Sequence, residues 1–480
     1  MKPKLYKGIL LAGITMLVLS VTGVKAAFAA NNSSNPADTL LGKEIQRQLA
    51  NKDVELQLYY PKSVTRVYAQ AGFMPVWLKP QNYEGPAWQA LRLIDCVLQF
   101  GLSHADYHPK ELTNGQLHNI LDTPKKVRLE QRALFDIMLT DAIINLINNL
   151  HYGKLNPEYP ANKIDALVDA GFMADKTLAL ALLQKNLITT ITSAQPTMPE
   201  YAELRRKLYL LEGLRQNNCY ELPQAQERKI AINMERLRWV NTDDKYYIHI
   251  NIPSYSLKLH IKDSTCNFKV IVGRPETPTP TLQSAVTYLT TAPEWKVPAA
   301  MFAATILPNA ISDTAYLNNN HYGLYTKAGE FIEPTPANLA KIKNSPAQYY
   351  ARQTIGCDNA LGLVVFRFDN VYKIYLHDTP QQSLFAKKNR ALSNGCIRIE
   401  QARRFATLLL KNDDSADKIK ALDKGLNTYF KQNIYLKKPM PIKITYLTCE
   451  IKDGELIILG DIYNLDNSLE MALYGTDTLL

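Results

Sequence analysis

Ile374-Tyr375-Leu376-His377-Asp378-Thr379, with Arg390-Ala391-Leu392-Ser393-Asn394-Gly395-Cys396-Ile397-Arg398 downstream, is the stretch around which this 480-residue chain is read. The first segment predicts a strand that delivers His377 at its end. Nineteen residues on, Cys396 follows Gly395 in a predicted tight turn, ahead of a helix expected to begin near Glu400. A thiol attacks an amide poorly and a thiolate attacks it well. A free cysteine ionises at about pH 8.5, and a neighbouring imidazolium or helix N-terminus lowers that value. His377 is placed to supply the imidazolium, and the following helix a partial positive charge. Gly395 lets the backbone turn sharply and approach a substrate closely. The amide N–H groups around Gly395 and Cys396 would then hold an oxyanion. Spacing alone does not establish such a pair, because a buried cysteine is ordinarily an inert core residue.

The remainder of the chain divides by period. From about 40 to 235 the pattern is mostly helical. Val127, Leu134, Met138, Ile143, Ile147 and Leu150 form an apolar stripe that predicts a core helix. Tyr201–Gln216 reads as one helix running into the second half. From about 245 the period is that of strands: Tyr247–Ile252, Ser256–Ile261 and Phe268–Val272, with Pro253 and Lys262-Asp263 as breakers. Gly362–Phe368 and Tyr372–His377 predict a hairpin joined at Asp369-Asn370. Ile442–Thr448 and Glu455–Leu459 predict two further strands. Residues 300–356, rich in Pro, Asn and Tyr, read as a long lid or binding-loop insertion. The fold class is α+β, a helical N-terminal scaffold over 43–240 and a mostly β domain over 241–480.

The N-terminus predicts export. Lys2, Lys4 and Lys7 precede an apolar run from Gly8 to Val24, and Ala27-Phe28-Ala29 fits a cleavage site. This assigns 1–29 as signal peptide and 30–42 as a polar linker, and it places the protein in the periplasm. An uncleaved signal would instead tether it to the inner membrane; after cleavage no membrane span is expected. The formal charge of +10 falls to +6 without the signal lysines, and no dense Lys/Arg block points to nucleic acid. Of the six cysteines none forms a C-x-x-C. If Cys396 stays a thiol, at least one more is unpaired. His104 and His108 have the spacing of a metal pair, but Pro109 follows at once and no H-E-x-x-H exists, so no metal and no cofactor are expected.

The stretch that carries His377, Ser393, Gly395, Cys396 and Arg398 resembles the signature of YkuD-type L,D-transpeptidases, with Asn394 where the common motif has a second histidine. Met234-Glu235-Arg236-Leu237-Arg238-Trp239, Asn251-Ile252-Pro253, Pro293-Glu294-Trp295-Lys296-Val297-Pro298, Asn359-Ala360-Leu361-Gly362, His377-Asp378-Thr379-Pro380 and Gly460-Asp461-Ile462-Tyr463 extend the likeness to the large, YcbB-like members. A separate peptidoglycan-binding module between about 160 and 230, usual in those members, has no evident equivalent. Gln353-Thr354-Ile355-Gly356-Cys357 lacks an expected proline, and Cys357 is read as packing inside, with a redox or second-thiol role as the alternative.

The resemblance implies an enzyme that joins peptidoglycan stem peptides. Cys396 would attack a donor tetrapeptide, and the resulting thioester would pass to an acceptor stem as a 3→3 cross-link. His377 would pair with the thiolate and shuttle the proton, with a backbone carbonyl near Asp378 orienting the ring. The Asp378 side chain is read as structural. Tyr375, on the same strand face as His377, either adds a hydroxyl to the oxyanion site or packs as an ordinary strand residue. Arg398, Ser393 and Asn394 are read as shaping the site. Carbapenems should acylate Cys396, and cell-wall synthesis proteins are the expected partners. The alternatives are release of the thioester to water or to a lipoprotein lysine, and a non-catalytic wall-binding scaffold. A serine enzyme of the penicillin-binding kind lacks its S-x-x-K and K-T-G motifs.

Overall fold

The computed structural model describes residues 36–475 except 80–81, 169–170, 185, 214–224, 241–243, 263 and 314. The expected signal peptide, its cleavage site, the first part of the linker, Cys219 and Asp263 lie outside the described residues. The helix Pro36–Leu49 occupies the second part of the expected linker, because Leu41 and Ile45, four apart, are fully buried.

The chain divides into two compact units. At the centre of the first is the helix Leu129–His151, in which every residue from Phe135 to Leu150 is buried. Its apolarity and length would suit a membrane span, yet it is packed inside the unit. A helix buried on all sides must satisfy its polar residues. Asp136 accepts from the Tyr68 hydroxyl (2.5 Å) and from the backbone N–H groups of Val76, Trp77 and Leu78. Asp141 accepts from the N–H groups of Tyr59 and Tyr60 and sits 2.7 Å from Nε2 of His108. His104 turns instead to the Asp95 carbonyl, so the two histidines face separate partners.

The Met234–Trp239 block is a structural hub of this unit. It ends the helix Ala225–Arg238, where Arg238 donates to the Phe100 carbonyl, the Tyr201 hydroxyl and Glu235. Glu235 also accepts from the Leu155 N–H and the Trp239 indole. The C-terminal boundary differs from the expected 241–480 division. The hairpin of Cys449–Lys452 and Glu455–Ile458 and the helix Asp466–Tyr474 belong to the first unit. Asp466 explains the return: buried, it pairs with Lys229 (2.5 Å) and Arg236 (2.6 Å) of the helix Ala225–Arg238.

The second unit, residues 243–448 with 459–464, is built on a nine-stranded sheet. The strands are β1 (Tyr246–Asn251), β2 (Ser256–Ile261), β3 (Ser264–Gly273), β4 (Leu282–Thr291), β9 (Val364–Phe368), β10 (Leu376–His377), β11 (Ala391–Ser393), β12 (Ile397–Ile399) and β13 (Gln432–Thr445), in the order β11-β3-β12-β10-β9-β4-β13-β1-β2. A further β2–β3 pairing makes the ladder return on itself. One face packs against the helix Ala402–Asn412, whose Phe405 meets Phe268 and Phe366 edge-on.

The expected lid is a folded subdomain. Strands β5 (Trp295–Lys296), β6 (Tyr322–Thr326), β7 (Phe331–Ile332) and β8 (Tyr349–Gln353) form a sheet in the order β5-β8-β6-β7, and Phe302, Ile306, Leu324, Leu339, Ile342 and Ala351 share a core of their own. Its helix Pro336–Asn344 is capped by the Thr335 hydroxyl. The single alternating pattern that marks a strand is diluted here by tyrosines and glycine, so the stretch reads as irregular. Cys357 is exposed rather than packed inside.

Replacing Asp136 by Ala would leave the three buried backbone N–H groups without their acceptor, at about 1–3 kcal/mol each before relaxation, while the Tyr68 hydroxyl would keep Thr140 as a partner. Asp136→Ala should therefore lower the urea midpoint followed by Trp77 fluorescence, whereas an exposed change such as Glu55→Ala should leave it in place.

Candidate active site

Strand register assembles the site. β10 runs antiparallel to β9, with Leu376 opposite Phe366 and His377 opposite Val365. On its other side β10 runs parallel to β12, with Leu376 opposite Ile397 and His377 opposite Arg398. Successive side chains on a strand point to opposite faces. Leu376, Phe366 and Ile397 enter the core under the helix Ala402–Asn412. Tyr375, His377, Cys396 and Arg398 therefore share the opposite face. The Ile397 N–H bonds the Tyr375 carbonyl, which sets Tyr375 beside Cys396. The rings of Tyr375 and His377 lie edge-to-face with centroids 5.7 Å apart.

A network of short bonds holds the turn before Cys396. Gly395 has φ +105°, a conformation that L side chains rarely adopt. The Ser393 hydroxyl donates to the Cys396 carbonyl (2.5 Å) and accepts from the Gly395 N–H (3.2 Å). Thr279 donates to the Gly395 carbonyl and accepts from the Gly273 N–H, both at 2.8 Å. Tyr463 closes the network, donating to the Gly273 carbonyl and accepting from the Thr279 N–H. Two expectations change. The Gly395 N–H is spent on Ser393, while the Cys396 N–H has no acceptor among the described residues. The chain after Cys396 first enters β12, because Ile397 and Ile399 are fully buried, and the helix expected near Glu400 follows from Ala402. Its N-terminus is thus removed from the sulfur.

His377 is buried, and its Nδ1 lies 2.6 Å from the Asp378 carbonyl oxygen. A carbonyl only accepts, so Nδ1 carries the proton and the neutral ring keeps its lone pair on Nε2. Burial, reinforced by the Arg398 guanidinium, pushes the His377 pKa down to about 3 against the pull of the Asp378 and Leu361 carbonyls. Cys396 is half-buried, and burial pushes its thiol up, opposed by hydrogen bonds from Tyr375 and by the charges of Arg367 and Arg398. Both directions favour a neutral thiol beside a neutral imidazole over the expected ion pair.

The Asp378 carboxylate accepts from the Leu363 N–H (2.9 Å) and the Gln382 amide (3.3 Å). It fills the space a Cβ on Gly362 would need, and Gly362 has φ +62°. Arg398 reaches the Gln381 amide oxygen (2.8 Å), and its buried Nε has no hydrogen-bond partner among the described residues. Asn394, exposed, accepts from Arg274 and contacts the Met301 sulfur at 3.9 Å. Residues not singled out from the sequence also meet here. Arg367 of β9 lies over the Tyr375 ring at 4.9 Å, and the Trp295 side chain is hydrogen-bonded to the Tyr375 hydroxyl. Arg367 was legible as the polar break in Val364-Val365-Phe366-Arg367-Phe368; Thr279, between two prolines, carried no signal.

Thr279→Val keeps the shape of the side chain but strips two backbone groups of their partner. The thermal midpoint of the second unit should fall by an amount equivalent to about 1–3 kcal/mol. Thr279→Ser should restore it, which calorimetry on the whole chain would register.

The family profile described as the L,D-transpeptidase catalytic domain matches residues 245–420, and one described as a scaffold domain matches residues 62–208. A Haemophilus influenzae protein provisionally named as an L,D-transpeptidase is 26% identical over 451 residues, spanning 92% of this chain and 84% of the relative. The helical region expected from the sequence falls on the scaffold match, and the strand-rich region with the His377–Arg398 segment falls on the other. The chain thus belongs with the YkuD-type L,D-transpeptidases, in the scaffold-plus-catalytic-domain architecture of their large, YcbB-like members.

Proposed function

We propose that this protein cross-links peptidoglycan stem peptides 3→3 through a thioester on Cys396, in the periplasm and without metal or cofactor. The observation that carries the reading is the shared sheet face: a half-buried thiol set beside Tyr375, with His377 two residues further along the facing strand and on the same side. The Cys396 sulfur attacks the carbonyl at the L-centre of diaminopimelate in a donor tetrapeptide, and Nε2 of His377 takes the thiol proton during attack. The oxyanion is held by the unspent Cys396 N–H and the Tyr375 hydroxyl. As the C–N bond breaks, His377 returns the proton to the departing D-Ala amine. An acceptor side-chain amine then attacks the thioester, gives up its proton, and frees the thiol. Arg398 and the turn at Ser393-Asn394-Gly395 shape the site.

Purified protein with disaccharide-tetrapeptide should release D-Ala and form a dimer visible by mass spectrometry. Cys396→Ala should abolish both, and a carbapenem should add its mass to the parent chain and not to that variant. D-Ala release with no dimer would replace cross-linking by hydrolysis; no adduct on the parent chain would leave the wall-binding alternative. His377→Ala should lower the acylation rate by about 10²–10⁴-fold, and Tyr375→Phe by about 10²-fold.

The pH dependence follows from the two shifts. His377, held down to about 3, stays neutral and able to accept a proton throughout the range above that value. No acid limb near pH 6.5 should appear in kcat/KM. Cys396, raised by burial, should show iodoacetamide alkylation that keeps rising through pH 9 in the free protein. A plateau already reached at pH 6 would instead mark the preformed thiolate–imidazolium pair.

A further inference from the structure

The register that builds the site continues across the sheet. Tyr375 stands opposite Arg367 by the β9–β10 pairing, Arg367 opposite Tyr288 of β4, and Tyr288 opposite Tyr435 of β13. The next row over, Ile397, Leu376, Phe366, Leu289 and Ile434, is entirely in the core. By alternation Cys396, Tyr375, Arg367, Tyr288 and Tyr435 therefore form one row on the opposite face. Side chains meet within each part of the row as well as standing in register. The Tyr288 and Tyr435 rings lie 5.0 Å apart, and the Arg367 guanidinium covers Tyr375 at 4.9 Å. None of the five side chains is fully buried, and Tyr435 at the outer end is 58% exposed. No carboxylate among the described residues pairs with Arg367.

We infer that this row is the track for the donor strand: Arg367 takes a carboxylate of the stem peptide, and the Tyr288–Tyr435 pair takes the saccharide that carries it. The inference rests on the proposed reaction for the identity of the occupant. Length and charge support it. Four strand spacings of roughly 4.8 Å set Tyr435 about 19 Å from Cys396. A fully extended four-residue stem spans no more than about 14 Å, so a stem whose scissile carbonyl is at Cys396 ends short of Tyr435, and its sugar lies over the tyrosines. A guanidinium held over a ring, with no carboxylate partner among the described residues, is suited to a planar carboxylate. Aromatic faces suit the C–H faces of a pyranose as they suit other apolar surfaces.

The test separates the track from catalysis by measuring binding in the Cys396→Ala protein, where no turnover occurs. Calorimetry would compare disaccharide-tetrapeptide with the free tetrapeptide. Adding Tyr435→Ala should weaken the disaccharide-tetrapeptide about 5–10-fold and leave the tetrapeptide unchanged; Tyr435→Phe should retain the affinity. Adding Arg367→Gln should weaken both ligands about tenfold, and that loss should vanish when the stem carboxylates are amidated. Equal affinities for the two ligands in the starting protein, or no change on either substitution, would overturn the track. Turnover by the parent chain, measured separately, reports on the transpeptidase reading itself.

Discussion

The pairing of β10 with β9 on one side and β12 on the other is the constraint on which the rest of the molecule's chemistry depends. β10 is only two residues long, yet it fixes which side of the sheet receives each neighbour. A slip by one residue would exchange Leu376 for His377 in the core and bury an imidazole among Phe366, Ile397 and Phe405. The apolar row resists that slip, because Leu376 would leave the core and a polar ring would take its place in line with Ile397, Phe366, Leu289 and Ile434. Packing energy on one face thus sets polar geometry on the other.

Much of this was legible in the sequence, and the parts that were not have identifiable causes. His377 and Cys396 stand out because a histidine ending a strand and a cysteine after Gly395 are chemically unusual. The switch from helical to strand period near 245 is equally plain, and β1 and β2 lie within a residue of their expected bounds. β4 gave no such signal. Leu282-Gln283-Ser284-Ala285-Val286-Thr287-Tyr288-Leu289-Thr290-Thr291 lacks clean alternation because Tyr288 stands in the same row as Cys396 and the strand carries a bulge between Val286 and Tyr288. The lid's strands were missed because they are short and form their own small sheet. The helix expected near Glu400 begins at Ala402, but the short β12 ahead of it, only three residues, is too brief to announce itself.

The electrostatic reading changed most. From sequence, a cysteine next to a histidine suggests a ready ion pair. Burial works against charge on both, and the cations that face the sulfur are guanidiniums, Arg367 and Arg398. A neutral imidazole and a neutral thiol spare the protein two buried charges, and in the proposed reaction charge would separate only once substrate is bound. The tautomer that makes this workable is set by a single backbone contact, from Nδ1 of His377 to the Asp378 carbonyl.

The return of residues 449–458 and 465–475 to the helical unit carries a consequence for how the chain assembles. That unit contains both the beginning and the end of the described chain, with the whole sheet unit threaded between. Its ion pairs from Lys229 and Arg236 to Asp466 close a loop of more than two hundred residues. Such closure is slow and comes late. The helical unit completes its packing only once residues made well after Cys396 are available, so that a chain cut short upstream of Asp466 would leave that unit unfinished even with the sheet already made.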